Sequence, residues 1–175
     1  MNGETLTTII AIFLAAILIG IFPLMSIADR NDDVSQLAIQ TKLSEFVDTV
    51  RKTGRITQDS YDKLVLDLYS TGNTYNIAIE VQKIDENPAK KTAQSGAETF
   101  LGESIYFSEF TSQIENQIQL EGTYYLKEGD IITVSASNSN TTIAQSLKNF
   151  FYSLSGNNTY SIVATQSGVI AANGS

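Results

Sequence analysis

Residues 8–28 carry no charged side chain, and this run limits what the chain can fold into more than any other feature. It reads Thr-Ile-Ile-Ala-Ile-Phe-Leu-Ala-Ala-Ile-Leu-Ile-Gly-Ile-Phe-Pro-Leu-Met-Ser-Ile-Ala and holds twelve Ile, Leu or Phe side chains. As a helix rising about 1.5 Å per residue it reaches roughly 30 Å, the thickness of a bilayer's hydrocarbon core. At about −0.3 to −0.6 kcal/mol each near the centre of a span, those twelve side chains favour insertion by roughly −4 to −7 kcal/mol. Such a helix needs a dry place to lie, either lipid or a bundle of similar helices. The chain divides accordingly into a transmembrane helix over 1–28, an amphipathic helical extension over 29–56, and a soluble α+β head over 57–175.

The extension follows from spacing. Ile39, Leu43, Phe46, Val47 and Val50 recur every three or four residues, with Gln40, Lys42, Glu45, Asp48 and Arg51 between them. That is the apolar stripe of a helix. Gly54 is its C-terminal stop, and Arg51 and Lys52 in the last turn complement the helix dipole. Residues 5–53 therefore read as one long helix, with Pro23 inside it bending it or opening one hydrogen bond.

In the head, Thr57 caps a second helix whose buried face is Tyr61, Leu64, Val65 and Leu68, ended by Gly72. Tyr75, Ile77, Ile79 and Val81 alternate with polar residues, as in a strand buried on one face. Residues 85–104 read as a loop. Phe107, Phe110, Ile114 and Ile118 predict a third helix closed near Gly122. Residues 123–126 and 130–136 flank Lys127-Glu128-Gly129 as a hairpin. Thr142 caps a fourth helix with face Ile143, Leu147, Phe150, Phe151 and Leu154. Residues 160–165 form a last strand, and the tail over 171–175 frays. The expected fold class is α+β: a small, mostly antiparallel sheet of about four strands with helices on one face, behind the long N-terminal helix.

Composition removes several chemistries. The chain has no Cys, His or Trp and a net charge of −8. Without Cys and His there is no disulfide, no thiolate or imidazole metal site and no Ser-His-Asp triad. The negative surface repels phosphate backbones, so no nucleic-acid partner is expected. Asp29, Asn31 and Asp33 resemble the start of a calcium loop, but Val34 stands where Gly is required and Gln40 where Glu is required. The stretch 29–33 reads instead as solvated helix. Asn140-Thr141-Thr142 and Asn157-Asn158-Thr159 match the glycosylation pattern, with turn residues the simpler reading. No catalytic residue, cofactor or metal site is expected.

The N-terminus Met1-Asn2-Gly3-Glu4 lacks the basic residues of a signal peptide, and the apolar run is long for one, although 26–28 resemble a cleavage end. An uncleaved helix is favoured. Arg30 and Lys42 follow the span and nothing basic precedes it, which by charge bias places the head inside. The polar head composition favours an outside head, since large domains translocate largely regardless of charge.

These features together resemble the type IV pilin superfamily, and most its Tad/Flp branch: an apolar N-terminal helix with a proline well inside it, an amphipathic continuation, and an α+β head. The resemblance rests on residues 3–53. It implies a structural subunit of a surface filament or secretion pseudopilus, inserted in the bilayer and associating with like subunits through this helix. Ile9, Ile10, Ile12, Phe13, Leu14, Ile17, Leu18, Ile21, Phe22 and Pro23 would form the membrane and assembly surface, and the bond between Gly3 and Glu4 the leader cleavage point. The family's glutamate, five residues after cleavage, corresponds to Thr8. The alternatives are a single-pass anchored binding module that never polymerises, and a membrane-tethered hydrolase for which no acidic cluster stands out.

Overall fold

In the computed structural model, residues 3–84, 106–143, 145–146, 149 and 162–174 are described. Helix α1 runs without interruption from Gly3 to Thr53. At about 1.5 Å per residue it is a rod of roughly 75 Å. Its stripe of Ile39, Leu43, Phe46, Val47 and Val50 is buried, as the spacing requires. Gly54 ends the helix at φ +62°, its N–H bonded to the Val50 carbonyl at 2.8 Å. That left-handed turn is one a Cβ disfavours.

Beyond α1 the described chain runs β1 (Arg55–Thr57), α2 (Gln58–Tyr69), β2 (Tyr75–Ile84), β3 (Tyr106–Phe110), α3 (Thr111–Glu121), β4 (Thr123–Tyr125), β5 (Ile131–Asn138) and β6 (Val163–Val169). The α+β expectation holds, with six strands in two sheets among the described residues. The larger sheet has the order β3-β2-β5-β6, antiparallel throughout, and β1 pairs with β4.

The larger sheet is apolar on one face. Ile79 pairs with Val134, Val81 with Ile132, and Ala136 with Ala164, all buried. The C-terminal half of α1 lies along β6 and β5 on this face. Small residues let it approach: Ala136 and Ala164 are buried there, and a Cβ on Gly168 would stand 2.3 Å from Arg51 Cδ. The five stripe side chains contribute on the order of 8–15 kcal/mol of gross apolar burial, so rod and head form one folding unit. The opposite face carries hydroxyls, with Thr133 bonded to Ser167 at 2.9 Å and Ser135 to Thr165 at 3.1 Å.

Thr57 caps α2 as expected, accepting from Ser60 N–H at 3.2 Å. The helix ends at Tyr69 with Ser70 as cap, and Gly72 serves the turn that follows. Gly122 closes α3 at φ +75°. Four other expectations are corrected. Phe107 and Phe110 belong to strand β3, not to the third helix. Their spacing of three mimics a helical face, but both are exposed, and α3 buries only Ile114 and Ile118.

Residues 123–136 do not form a hairpin. β4 pairs with β1, while Lys127-Glu128-Gly129 turns the chain into the other sheet. Asp130 fastens that turn: its carboxylate accepts from Lys127 N–H at 2.8 Å, and its carbonyl from Ile170 N–H at 2.8 Å. The last strand is later than expected, Val163–Val169, with 160–161 outside the described residues.

The tail is tied down, because its backbone groups bond to the last turn of α1 and to the residue that follows β4. Ala171 N–H bonds Arg51 O at 3.0 Å, and Gly174 N–H bonds Leu126 O at 3.0 Å. The expected loop over 85–104 and the helical face positions Leu147, Phe150, Phe151 and Leu154 lie outside the described residues; Ile143, expected on that face, is exposed.

Gly54 and Gly72 give a matched test. Both have positive φ, but a Cβ on Gly54 would lie 2.2 Å from Ala172 O, whereas nothing stands within 4 Å of one on Gly72. Gly72→Ala should cost only left-handed strain, about 1–2 kcal/mol. Gly54→Ala adds a clash with backbone and should cost at least about 1–2 kcal/mol more. Urea unfolding of both variants in one detergent ranks them, and equal midpoints contradict the tail's close packing.

Candidate functional site: the bare helix and its anchorage

The N-terminal half of α1 has no partner to hide its side chains. Ile9, Ile10, Ile12, Phe13, Leu14, Leu18 and Phe22 are all at least half exposed, as are Leu6, Ile19, Leu24 and Ile27. Pro23 is exposed as well, while Ile17 and Ile21 are half-buried. Every sequence-selected residue of the membrane surface thus lies on one helix. This helix is long and apolar enough to cross a membrane, and none of its most apolar window is buried. A contiguous bare apolar surface of this size marks an interaction face for protein or membrane.

Helical geometry satisfies the backbone within the rod, which is the condition for lying in lipid. Thr7 and Thr8 satisfy their hydroxyls the same way, donating to the carbonyls of Gly3 and Glu4 at 2.6 and 2.8 Å. Pro23 has no N–H, so the Ile19 carbonyl loses its intrahelical donor, yet the helix continues through it. Ala15, Ala16 and Gly20 are exposed, and nothing stands within 4 Å of a Cβ placed on Gly20. Gly3 and Glu4 are exposed in the first turn.

Where rod meets head, the expectation of a solvated stretch at 29–33 is corrected. Asp32 is 3% exposed and accepts a hydrogen bond from the Thr142 hydroxyl at 2.8 Å. It lies on the same helical stripe as Ser35, Ile39 and Leu43, so the head covers it. Thr142 also accepts from Gln145 N–H at 3.2 Å, while Gln145 Oε1 accepts from Thr142 N–H at 3.1 Å. This is a capping box, and it bears out Thr142 as a cap. One hydroxyl therefore opens a helical turn and ties it to the rod.

The Asn140 triplet is a turn device. Its Oδ1 accepts from Thr74 N–H at 2.9 Å and its Nδ2 donates to Asn73 at 2.9 Å. The second triplet, 157–159, lies outside the described residues.

At the other end, Arg51 Nε donates to Val169 O at 2.9 Å and its Nη1 meets Asp48 at 3.1 Å. Lys42 reaches Glu45 at 3.0 Å and Asp67 of α2 at 3.7 Å. These carboxylates, the Glu45 hydrogen bond foremost, hold the Lys42 ammonium charged above its ordinary range. Exposed pairs of this kind add little stability.

A polar cluster that sequence reasoning missed sits at the β3 edge. Lys83 pairs with Glu109 at 3.1 Å, Glu109 accepts from the buried Tyr124 hydroxyl at 2.6 Å, and Lys83 Nζ stands 4.6 Å from the Tyr124 ring centre. The only signal was the adjacent register of β2 and β3, which is not readable without the fold. Each group in the cluster is satisfied by another, as structural polar clusters are. No group of three or more potential metal-binding side chains occurs among the described residues. Comparison with protein-family models, characterised proteins and solved structures finds no match.

A double-mutant cycle with Asp32→Ala and Thr142→Ala should give a coupling of about 1.5–3 kcal/mol, as for a hydrogen bond to a charged group. Coupling near zero would remove the tie.

Burial, then hydrogen bonds to Glu109 and Glu115, push the Tyr124 and Tyr61 phenols well above the ordinary phenol range. Both therefore favour the fold fully below pH about 10, where phenols of the unfolded chain are also protonated, and that contribution is lost as pH rises above it. Near-ultraviolet absorbance should show a fraction of the phenols, Tyr61 and Tyr124 among them, resisting ionisation until the head unfolds. Tyr124→Phe should flatten the alkaline loss of stability, and an unchanged alkaline slope contradicts the assignment.

Proposed function

We propose that the chain is a structural subunit, a pilin-like or pseudopilin-like component of a surface filament or secretion apparatus. The bare half of α1 lies first in the bilayer and then against the same helix of neighbouring copies, with the head outside. One observation carries this reading: α1 is a single helix, its C-terminal stripe buried in the head and its N-terminal half bare. A tether needs only an apolar span and a flexible link. A rod rooted in the head core holds every head at one angle to its helix, which is what a repeating array requires.

The bare surface favours transfer of the rod from one apolar medium to another. Moving it from lipid to a helix bundle involves little change in apolar burial, so close packing and interhelical contact decide association. Ala15, Ala16 and Gly20 supply a low-relief patch for this. Thr8, where the resembled family has glutamate, bonds its hydroxyl within its own helix. Pairing between copies in this chain therefore rests on apolar packing rather than on a carboxylate at that position.

The test is physical fractionation. Filament subunits leave the cell surface on shearing, whereas a non-polymerising anchor stays with detergent-extracted membranes. Ile17→Lys places a charge at a cost of about 2.5–3.5 kcal/mol at mid-span and should abolish both membrane retention and sheared yield. Unchanged filament yield from Ile17→Lys contradicts the proposal, and wild-type protein confined to the membrane fraction supports the anchored module instead.

A further inference from the structure

A cleft of about 230 Å3 opens between α2, the start of β2 and α3, lined by Tyr61, Tyr69, Tyr75, Asn76 and Glu115 above Leu68. Among the described residues no lysine or arginine lines it. The hydroxyls of Tyr61 and Tyr75 at its walls are tied. Tyr61 donates to Glu115 Oε1 at 2.5 Å. Thr71 donates to the Leu68 carbonyl at 2.8 Å and so accepts from the Tyr75 hydroxyl at 3.0 Å. What these two residues offer the cleft is ring surface.

Glu115 is half-buried, and among the described residues no cation pairs with it. Its Oε1 takes the Tyr61 bond, leaving Oε2 to face an incoming cation. The other half-buried carboxylate set against a tyrosine, Glu109, already has its ammonium in Lys83. The Glu115 cleft repeats that arrangement of carboxylate, phenol and aromatic ring with the ammonium supplied by nothing in the described chain.

From this geometry we propose that the cleft is a binding site for an alkylammonium group, with Glu115 as counter-ion and the tyrosine rings as its cation–π walls. Rings within about 6 Å of a cation attract it through their quadrupole, and partial burial strengthens both that attraction and the ion pair. Volume restricts the ligand. The cleft is smaller than the roughly 300–1,000 Å3 of drug-sized sites, so it takes a head group or a side-chain end rather than a nucleotide or an oligosaccharide. Its negative charge excludes anionic ligands. Two sources share the chemistry: a lysine side chain, or a quaternary ammonium such as choline. The site is independent of whether the chain polymerises, because it lies on the head, away from the bare half of α1.

The experiment is a titration of tyrosine ring resonances of the full chain in alkyl-maltoside micelles, which carry no cation. The probes are N-acetyl-lysine methylamide, choline, and the neutral alcohol in which carbon replaces the choline nitrogen. A saturable shift of the Tyr61 or Tyr75 ring by either ammonium, absent with the neutral alcohol, is expected, and the tighter of the two identifies the source. Glu115→Gln keeps an oxygen for the Tyr61 hydroxyl and removes only the charge; it should weaken binding about tenfold or more. Should that variant not fold, Tyr75→Leu carries the same test through loss of one wall. No saturable shift with either ammonium, equal binding of the neutral alcohol, or unchanged affinity in the folded variant overturns the proposal.

Discussion

Burial of Ile39, Leu43, Phe46, Val47 and Val50 is the contact on which the rest of the molecule depends. Without it the four-stranded sheet has an open apolar face, and the rod has no fixed direction. These five side chains are nearly inaccessible. They belong to the same helix whose residues 6–27 remain bare. The helix thus joins a half that is bare to a half that packs into the head. Backbone hydrogen bonding is continuous across the join, so tilting the rod against the head means breaking helix or unpacking core.

Polar contacts then determine where the rod is gripped. At the end nearer the bare half, Asp32 and Thr142 join α1 to the turn beyond β5. At the far end, Arg51 reaches the Val169 carbonyl, and Gly54 accepts from Leu126 while Gly174 donates to Leu126. The chain after β6 is thereby bonded to the residue that follows β4 rather than left as a loose end. A glycine pair makes this possible, since a Cβ on Gly174 would stand 1.9 Å from the Gly54 oxygen. The grips lie at both ends of the buried stripe and resist rotation about it.

The rod was legible in the residues because both of its signals are local. Absence of charge over 8–28 and a three-to-four spacing to Val50 each need only a short window. Gly54, Thr57, Gly122 and Thr142 were legible for a similar reason, since caps are fixed by one residue and its immediate neighbours. What failed was non-local. Phe107 and Phe110 share a spacing with Ile114 that helix and strand both permit, and only pairing with β2 decides between them. Lys127-Glu128-Gly129 looks like a hairpin turn, but β1 competes for β4 and wins it. Asp32 has the composition of a solvated residue and becomes buried because its helical phase matches Ile39. The Tyr61–Glu115 contact spans 54 positions of sequence and leaves no trace in either segment.

Residues 6–27 and 39–53 lie on one unbroken helix, the first bare and the second packed against the head, and that division sets how each is protected. Amide hydrogen exchange of the full chain, followed peptide by peptide in lipid vesicles and in lipid-free solution with mild detergent removed stepwise, addresses it directly. Residues 39–53 should stay protected throughout, because the head covers them, while 6–27 should be protected in lipid and lose protection or self-associate as the apolar medium is withdrawn. A monomer in plain buffer whose residues 6–27 exchange as slowly as in vesicles would contradict that division.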